Sequence, residues 1–230
     1  MRPTPKSFHS RQMNNTSPTP PRVSPLDLPA LTPLAGTDLF SYGSYEAFHI
    51  ERADLVGMDL SGAQFLDCVL SIVDAATTDL SHVRFANTRL EQWNAPELGA
   101  ARASLRHVEV LDSRLGATEL FDSRLQSVRF EHCKIGWLNL RASHIRDVEF
   151  IDCVIDELDV AQANIERLRL SGCTVSNLNF EAAKLTDIDL TGAELQTVRG
   201  LDHMRGVTIT MTQAIDLLQT FTTHFGIKIQ

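Results

Sequence analysis

Apolar side chains recur at every fifth residue from Ile50 to Leu195 without a break. The thirty positions run from Ile50, Leu55, Leu60, Phe65 and Leu70 through Leu120, Leu140 and Phe150 to Leu195. Twenty-seven are Leu, Ile, Val or Phe, and the other three are Ala75, Ala95 and Ala100. A second column lies two residues earlier, from Ala53, Met58, Ala63, Cys68 and Val73 to Ala183, Ile188 and Ala193. No charge, amide, Gly or Pro enters it. The three remaining positions of each pentad hold almost all the charge.

Helices repeat near 3.6 residues and strands near 2, so neither explains this phase. A drift-free period of five requires a backbone with a five-residue unit. Two inward residues, two apart, form a short extended piece, and a turn follows. Four units make a square coil of twenty residues. Stacked coils pair as strands do, about 4.8 Å apart, and bury one continuous core. The phased stretch predicts about seven and a half coils and a rod of roughly 36 Å.

The repeat unit resembles that of the pentapeptide-repeat family: a small residue, an Asp or Asn, a Leu or Phe, then two variable polar residues. Ala53-Asp54-Leu55, Ala163-Asn164-Ile165 and Ala193-Glu194-Leu195 are good copies; Met58-Asp59-Leu60 and Thr78-Asp79-Leu80 are looser ones. The resemblance implies an all-β fold, a right-handed quadrilateral β-helix. It also implies kinship with fluoroquinolone-resistance members that imitate duplex DNA and occupy DNA gyrase.

The formal charge is −8, and it is unevenly spread. Residues 46–230 carry 27 acids and 17 bases, whereas residues 1–45 carry 2 acids and 4 bases. An acidic body argues against direct nucleic-acid binding, since phosphates are neutralised by Lys and Arg. No segment is apolar enough to span a bilayer, and no apolar run follows Arg2 and Lys6 as a secretory signal requires. Residues 1–45 hold eight of the nine prolines, so residues 1–34 read as an extended or disordered arm that folding does not need. Cys68, Cys133, Cys153 and Cys173 all fall in the small inward column, and read as buried small hydrophobes rather than a metal or redox site. Reduced thiols and the missing signal point to the cytoplasm.

Residues 35–49 read as an N-terminal cap, 50–199 as the β-helix and 200–230 as a strand-helix-strand cap. In the last, Thr210 to Gln213 fits a capping box, and Ala214, Leu217, Leu218, Phe221 and Phe225 fall on one helical face. Gly226 ends the helix, and Ile227 to Ile229 is expected to return as a strand. Such a cover protects the solenoid edge. Leu217, Leu218, Phe221 and Phe225 are also the candidate homodimer contact, since the resemblance implies dimerisation through that end.

Residues twenty apart should stack. One outward column, Arg89, Glu109, Arg129, Glu149, Arg169, Asp189, alternates in sign and reads as an exposed structural charge ladder. Gln64, Arg84, Ser104, Arg124, His144, Asn164 and Lys184 make a basic column. Asp54, Asp59, Asp74, Asp79, Glu119 and Asp159 make a candidate acidic partner-binding face. Its row of carboxylates approaches the ~3.4 Å charge spacing of one DNA strand. The competing reading is that these Asp residues bond to turn backbone. Phe121 and Trp137 are the candidate exposed hydrophobic contacts. Glu91 to Ala101 fits least: Trp93 is large for its column, Pro96 breaks pairing, and Ala95 and Ala100 underfill the centre. That stretch is a candidate loop.

No metal spacing, phosphate loop, nucleophile elbow or Cys–His constellation stands out, so no cofactor is expected. The chain reads as a non-enzymatic interaction protein acting through its rod surface on a protein partner. The alternative is a DNA mimic that binds DNA gyrase or topoisomerase IV.

Overall fold

The computed structural model describes residues 17–229; the first sixteen residues of the expected arm lie outside the described residues. Sixteen strands form one sheet. Its pairs are parallel and, between the first strand and the last, step by twenty residues save for one bulge near Ser171: Leu125 sits between Leu105 and Ile145, and Arg124 between Ser104 and His144. The solenoid has about nine turns. The excess over the expected number arises partly at the N-terminal end. Ser44–Glu46 already pairs in register with Gln64–Leu66, inside the segment expected to be a cap. The coil rise can be read from stacked rings. Tyr45 and Phe65 lie 5.0 Å apart, Phe65 and Phe85 5.1 Å, and Phe130 and Phe150 4.7 Å.

The two inward columns are the core. All thirty multiples of five from Ile50 are buried, except Leu185 and Leu195, which are partly buried against it. Every residue of the smaller column from Ala53 to Ala193 is buried except Met58. Each buried Leu, Ile, Val or Phe contributes about 1.5–3 kcal/mol. Hydroxyls in the small column bond the backbone. Ser113 Oγ accepts from Trp93 N at 3.0 Å, Ser123 Oγ from Ala103 N at 2.9 Å, and Ser143 Oγ from Ser123 N at 3.0 Å.

The corners explain the period. From Tyr42 to Gln92 every fifth residue has a positive φ, at 42, 47, 52, 57, 62, 67, 72, 77, 82, 87 and 92. One left-handed residue per pentad turns the chain by one side of the square. Three corners keep this geometry in most later coils. The fourth, after Thr77, does not: Glu97, Ala117, Trp137, Glu157 and Asn177 lack it, and strands such as Arg114–Glu119 and Lys134–Asn139 run through that corner.

The expected loop at Glu91–Ala101 is absent. Arg84–Gly99 is one strand, and Trp93 is buried and paired in register with Val73. Its indole Nε1 donates to the Leu70 carbonyl at 3.0 Å. Ala95 and Ala100 leave room that the indole takes up; an internal apolar cavity of about 40 Å³ remains, lined by Trp93, Ala100 and Thr118 among others. Pro96 does not end the ladder, because its neighbour Glu97 still accepts from Thr77 N at 2.8 Å. Above Pro96 stands Gly116, where a Cβ would collide with the Pro96 carbonyl.

The C-terminal end is capped, but not as one helix. Thr210 and Gln213 form the capping box, and α1 (Met211–Asp216) breaks at Leu217 before α2 (Leu218–Phe225). Gly226 ends α2 in the left-handed region. Ile227 to Ile229 form no strand; both isoleucines are exposed. The break divides the apolar residues. Leu217 is buried and Phe221 packs partly buried on the core, whereas Leu218 and Phe225 are exposed.

Candidate partner-binding surfaces

The acidic face assembles at the N-terminal half of the rod. Asp54 pairs in register with Asp74, and Asp59 with Asp79, so like charges stand one coil apart. All four are exposed, as is Glu119. Among the described residues none of the five has a cationic partner. Glu97, also exposed, joins Asp79 and Glu119 around an open groove at the altered fourth corner. Sequence reasoning missed Glu97 because it lies in the stretch expected to leave the coil. Each Asp also makes the turn bond. Asp59 Oδ1 accepts from Ser61 N at 2.9 Å, Asp79 Oδ1 from Ser81 N at 2.8 Å, Asp54 Oδ1 from Val56 N at 3.1 Å and Asp74 Oδ1 from Ala76 N at 3.3 Å. The Ser61 hydroxyl and then its N–H hold Asp59 below the usual carboxylate range.

Asp159 leaves this set. It is buried, accepts from Ala161 N at 3.0 Å and from Asn179 Nδ2 at 3.0 Å, and pairs with Arg141 at 3.1 Å. Its charge is neutralised within the wall. Phe121 and Trp137 are not free contacts either: both are half-buried, and Trp137 stacks in register between Ala117 and Glu157. Exposed apolar residues gather instead towards the two ends: Phe40, Tyr42, Val56, Leu66 and Ile72 near the first coils, and Met211, Ile215, Leu218, Phe225, Ile227 and Ile229 at the C-terminal end. Of the four candidate contacts there, Leu218 and Phe225 are available and Leu217 and Phe221 hold the cap down.

A second wall is basic. Arg84, Arg106 and Arg124 are exposed on consecutive coils and, among the described residues, form no ion pair. Arg124, His144, Arg146 and Lys184 edge an open groove of about 580 Å³, with one acid among them, Glu166, which pairs with Arg146 at 3.5 Å. The surface is therefore sorted by sign around the rod.

The alternating ladder forms from Arg89 to Arg169, with its carboxylates buried and its arginines partly open; among the described residues Asp189 makes no ion pair. Arg89 pairs with Glu109 at 2.9 Å, Arg129 with Glu149 at 2.9 Å, and Arg169 with Glu149 at 3.0 Å. Glu109 and Glu149 are buried. In the adjoining corner column Arg167 forms a bidentate pair with Asp147 at 2.6 and 2.9 Å. Burial pushes Asp147 up, but the Arg167 guanidinium and the Arg22 N–H outweigh it and hold the carboxyl below the usual range. The segment expected to be an extended or disordered arm contributes to this wall: Arg22 N donates to Asp147 Oδ1 at 2.8 Å, and Leu26 N to Glu109 Oε1 at 3.4 Å.

The stacked thiols act as donors to backbone. Cys133 Sγ donates to Val110 O, Cys153 Sγ to Phe130 O and Cys173 Sγ to Phe150 O, each 23 residues back, at 3.4–3.5 Å. Hydrogen bonding to Cys133 pushes Cys153 up to about 12, which keeps it protonated. Among the described residues no group of His, Cys, Asp and Glu is arranged to hold a metal.

Residues 123–199 match a family model described as "Pentapeptide repeat region". The matched region continues the twenty-residue register that reaches back to Ser44. The chain is similar to the solved structure of a trypsin-treated variant of QnrB1, a plasmid-mediated fluoroquinolone resistance protein. The identity is 16%, 87% of this chain and 99% of that chain are covered, and the TM-score is 0.49. It is also similar to HetL, a pentapeptide repeat protein involved in heterocyst differentiation regulation from the cyanobacterium Nostoc sp. strain PCC 7120. There the identity is 17%, the coverage 74% of this chain and 90% of that chain, and the TM-score 0.42. No curated protein sequence matches the chain. No described helix is long and apolar enough to cross a membrane.

Proposed function

We propose that this pentapeptide-repeat protein is a non-enzymatic interaction protein that binds a protein partner through the acidic face. One observation carries the reading. The turn bond made by Asp54, Asp59, Asp74 and Asp79 does not need a charge. At equivalent positions further along the rod, Asn139 Oδ1 accepts from Arg141 N at 3.2 Å and Asn179 Oδ1 from Glu181 N at 3.1 Å. Asn serves the fold as well, and like charges stacked across a sheet oppose it. The carboxylates at the N-terminal half are therefore surplus to folding and available to a basic partner.

A second reading is favoured by the spacing of that row. Asp54 and Asp74, and Asp59 and Asp79, stand one coil apart, and Glu119 follows two coils beyond Asp79, so that the carboxylates line up along the rod much as phosphates do along one strand. The partner is then the basic DNA groove of a type II topoisomerase, DNA gyrase or topoisomerase IV. The exposed C-terminal residues Leu218 and Phe225 are the proposed homodimer contact, which would double the length of the mimic. On both readings the protein works in the cytoplasm and needs no cofactor. The experiment is supercoiling by purified gyrase, and decatenation by topoisomerase IV, with rising concentrations of this protein, with and without a fluoroquinolone. Inhibition or drug protection at micromolar concentration supports the topoisomerase reading. No effect removes it and leaves the protein-partner reading, which is tested by affinity capture that the Asp-to-Asn variants must lose.

A further inference from the structure

The segment 17–31 is held by the body in an unusual way. It forms no strand; pairing begins only at Thr32–Leu34, which joins Phe48–Ile50. Before that, side chains of the body grip the backbone of the arm. Asp147 Oδ1 accepts from Arg22 N at 2.8 Å, and Ser127 Oγ donates to Arg22 O at 3.2 Å. Glu109 Oε1 accepts from Leu26 N at 3.4 Å, and Asn87 Nδ2 donates to Asp27 O at 3.0 Å. Two N–H groups and two carbonyls are thus read by four residues on four coils.

The path follows from these contacts. Asp147, Ser127 and Asn87 occupy one corner column, with Glu109 on the adjoining wall. From Arg22 to Asp27 the arm passes three coils, about 14 Å at the strand spacing. Five residues of extended chain cover about 16 Å. The arm is therefore nearly fully extended and lies along the rod, across the strands. A chain crossing the strands cannot join their ladder, which is why side chains supply its partners. Pro18, Pro20, Pro21, Pro25 and Pro29 suit this course, since they fix an extended backbone and bring no N–H to satisfy. Pro21, Val23, Leu26, Leu28 and Leu31 are half-buried, while Arg22, Ser24, Pro25, Pro29 and Ala30 point out.

We infer that this corner, from Asn87 to Asp147, is a binding groove for extended proline-rich peptides with aliphatic residues at alternate or third positions, and that residues 17–31 are its ligand in cis. Main-chain hydrogen bonds supply affinity and pockets for alternate side chains supply specificity in other extended-peptide complexes, and a proline-rich segment is already extended before it binds. The groove is preformed. Asp147 is held by Arg167, and Glu109 by Arg89, through contacts within the body that do not involve the arm. This inference does not depend on the acidic face or its partner. It makes the arm a competitor for any outside peptide of like chemistry.

The test uses the full chain. In Val23→Asp/Leu26→Asp the body is untouched but the arm loses its two central anchors. A fluorescent peptide of residues 17–31 should bind this variant saturably, at least tenfold more tightly than it binds the parent, whose groove is filled. Adding Ser127→Ala to the variant should weaken the peptide several-fold. Peptide binding that is absent from the variant, or equal in parent and variant and indifferent to Ser127→Ala, overturns the inference. Circular dichroism and melting establish that the variant is folded. Should it not be, hydrogen exchange on the parent decides. The amides of Arg22 and Leu26 should exchange at least tenfold more slowly than that of exposed Ser24, and equal rates would show that the arm is not seated.

Discussion

Arg167 Nε lies 2.6 Å from Asp147 Oδ1, one coil apart in one corner column, with both side chains 7% exposed. The Arg167 side chain also bonds Glu166, and the second Asp147 oxygen receives Arg167 Nη2 at 2.9 Å. A buried pair gains little over apolar residues of the same size, but breaking one side of it strands a charge. Arg167→Leu should therefore lower stability by about 3–5 kcal/mol, measured by denaturant unfolding. The acid limb should respond as well. The folded carboxyl of Asp147 is depressed, so its contribution is complete at neutral pH. It is lost only as pH falls below the ordinary Asp value of about 3.9 and through the folded one. Asp147→Asn should flatten that part of the stability–pH curve.

Thr118 gives a prediction of opposite sign. Among the described residues its buried Oγ1 has no hydrogen-bond partner, and it lines the cavity beside Trp93 and Ala100. Thr118→Val removes the unsatisfied hydroxyl at nearly constant shape. It should stabilise the protein by about 1 kcal/mol, since an unpaired buried polar group costs about 1–3. A lower melting temperature in Thr118→Val would mean that the hydroxyl has a partner in solution.

Much of the fold was legible because each coil repeats one local decision. Leu140 and Phe150 are buried for the same reason as Ile50, and no long-range information was needed to see it. Legibility failed where neighbours one coil away set the outcome. Trp93 is too large for its column when read alone, and fits because Ala95 and Ala100 are small. Asp159 belongs to the acidic pattern, yet Arg141 and Asn179 bury its charge. Glu109 looked exposed because a period of five cannot show an arm that crosses the strands. The arm's seat is written in four polar residues from Asn87 to Asp147, three of them in one corner column, and nothing in that column marks it as a place where chain docks. Only the aliphatics at Val23, Leu26, Leu28 and Leu31, amid the prolines, were a readable sign that the segment packs.

The two leucines at the helix break should behave differently. Leu217 is 1% exposed and Leu218 45%. Leu217→Ala should cost about 2–5 kcal/mol by emptying a core site. Leu218→Glu, with Phe225→Glu, should leave melting within about 0.5 kcal/mol, as surface substitutions do. If the C-terminal end is the dimer contact, that double substitution should also convert a dimer to a monomer in analytical ultracentrifugation. A monomeric parent, or a dimer that survives both glutamates, would remove the contact.

The last prediction separates charge from fold on the acidic face. Asp54→Asn, Asp59→Asn, Asp74→Asn and Asp79→Asn each keep the oxygen that accepts the turn N–H, as Asn139 and Asn179 do. Combining them with Glu119→Gln removes five unpaired negative charges. Stability should hold or rise slightly, because stacked like charges are relieved. Partner binding should behave in the opposite way. A surface that attracts a basic groove through unscreened carboxylates loses affinity as the Debye length shrinks, from about 10 Å at 0.1 M salt to 3 Å at 1 M. The parent's effect on gyrase or topoisomerase IV should therefore fall steeply with salt and vanish in the fivefold variant. An effect that survives neutralisation keeps the target but rejects mimicry, and moves attention to the basic wall of Arg84, Arg106 and Arg124. Loss of the effect together with loss of cooperative melting would show that the carboxylates serve the coil, against the argument from Asn139 and Asn179.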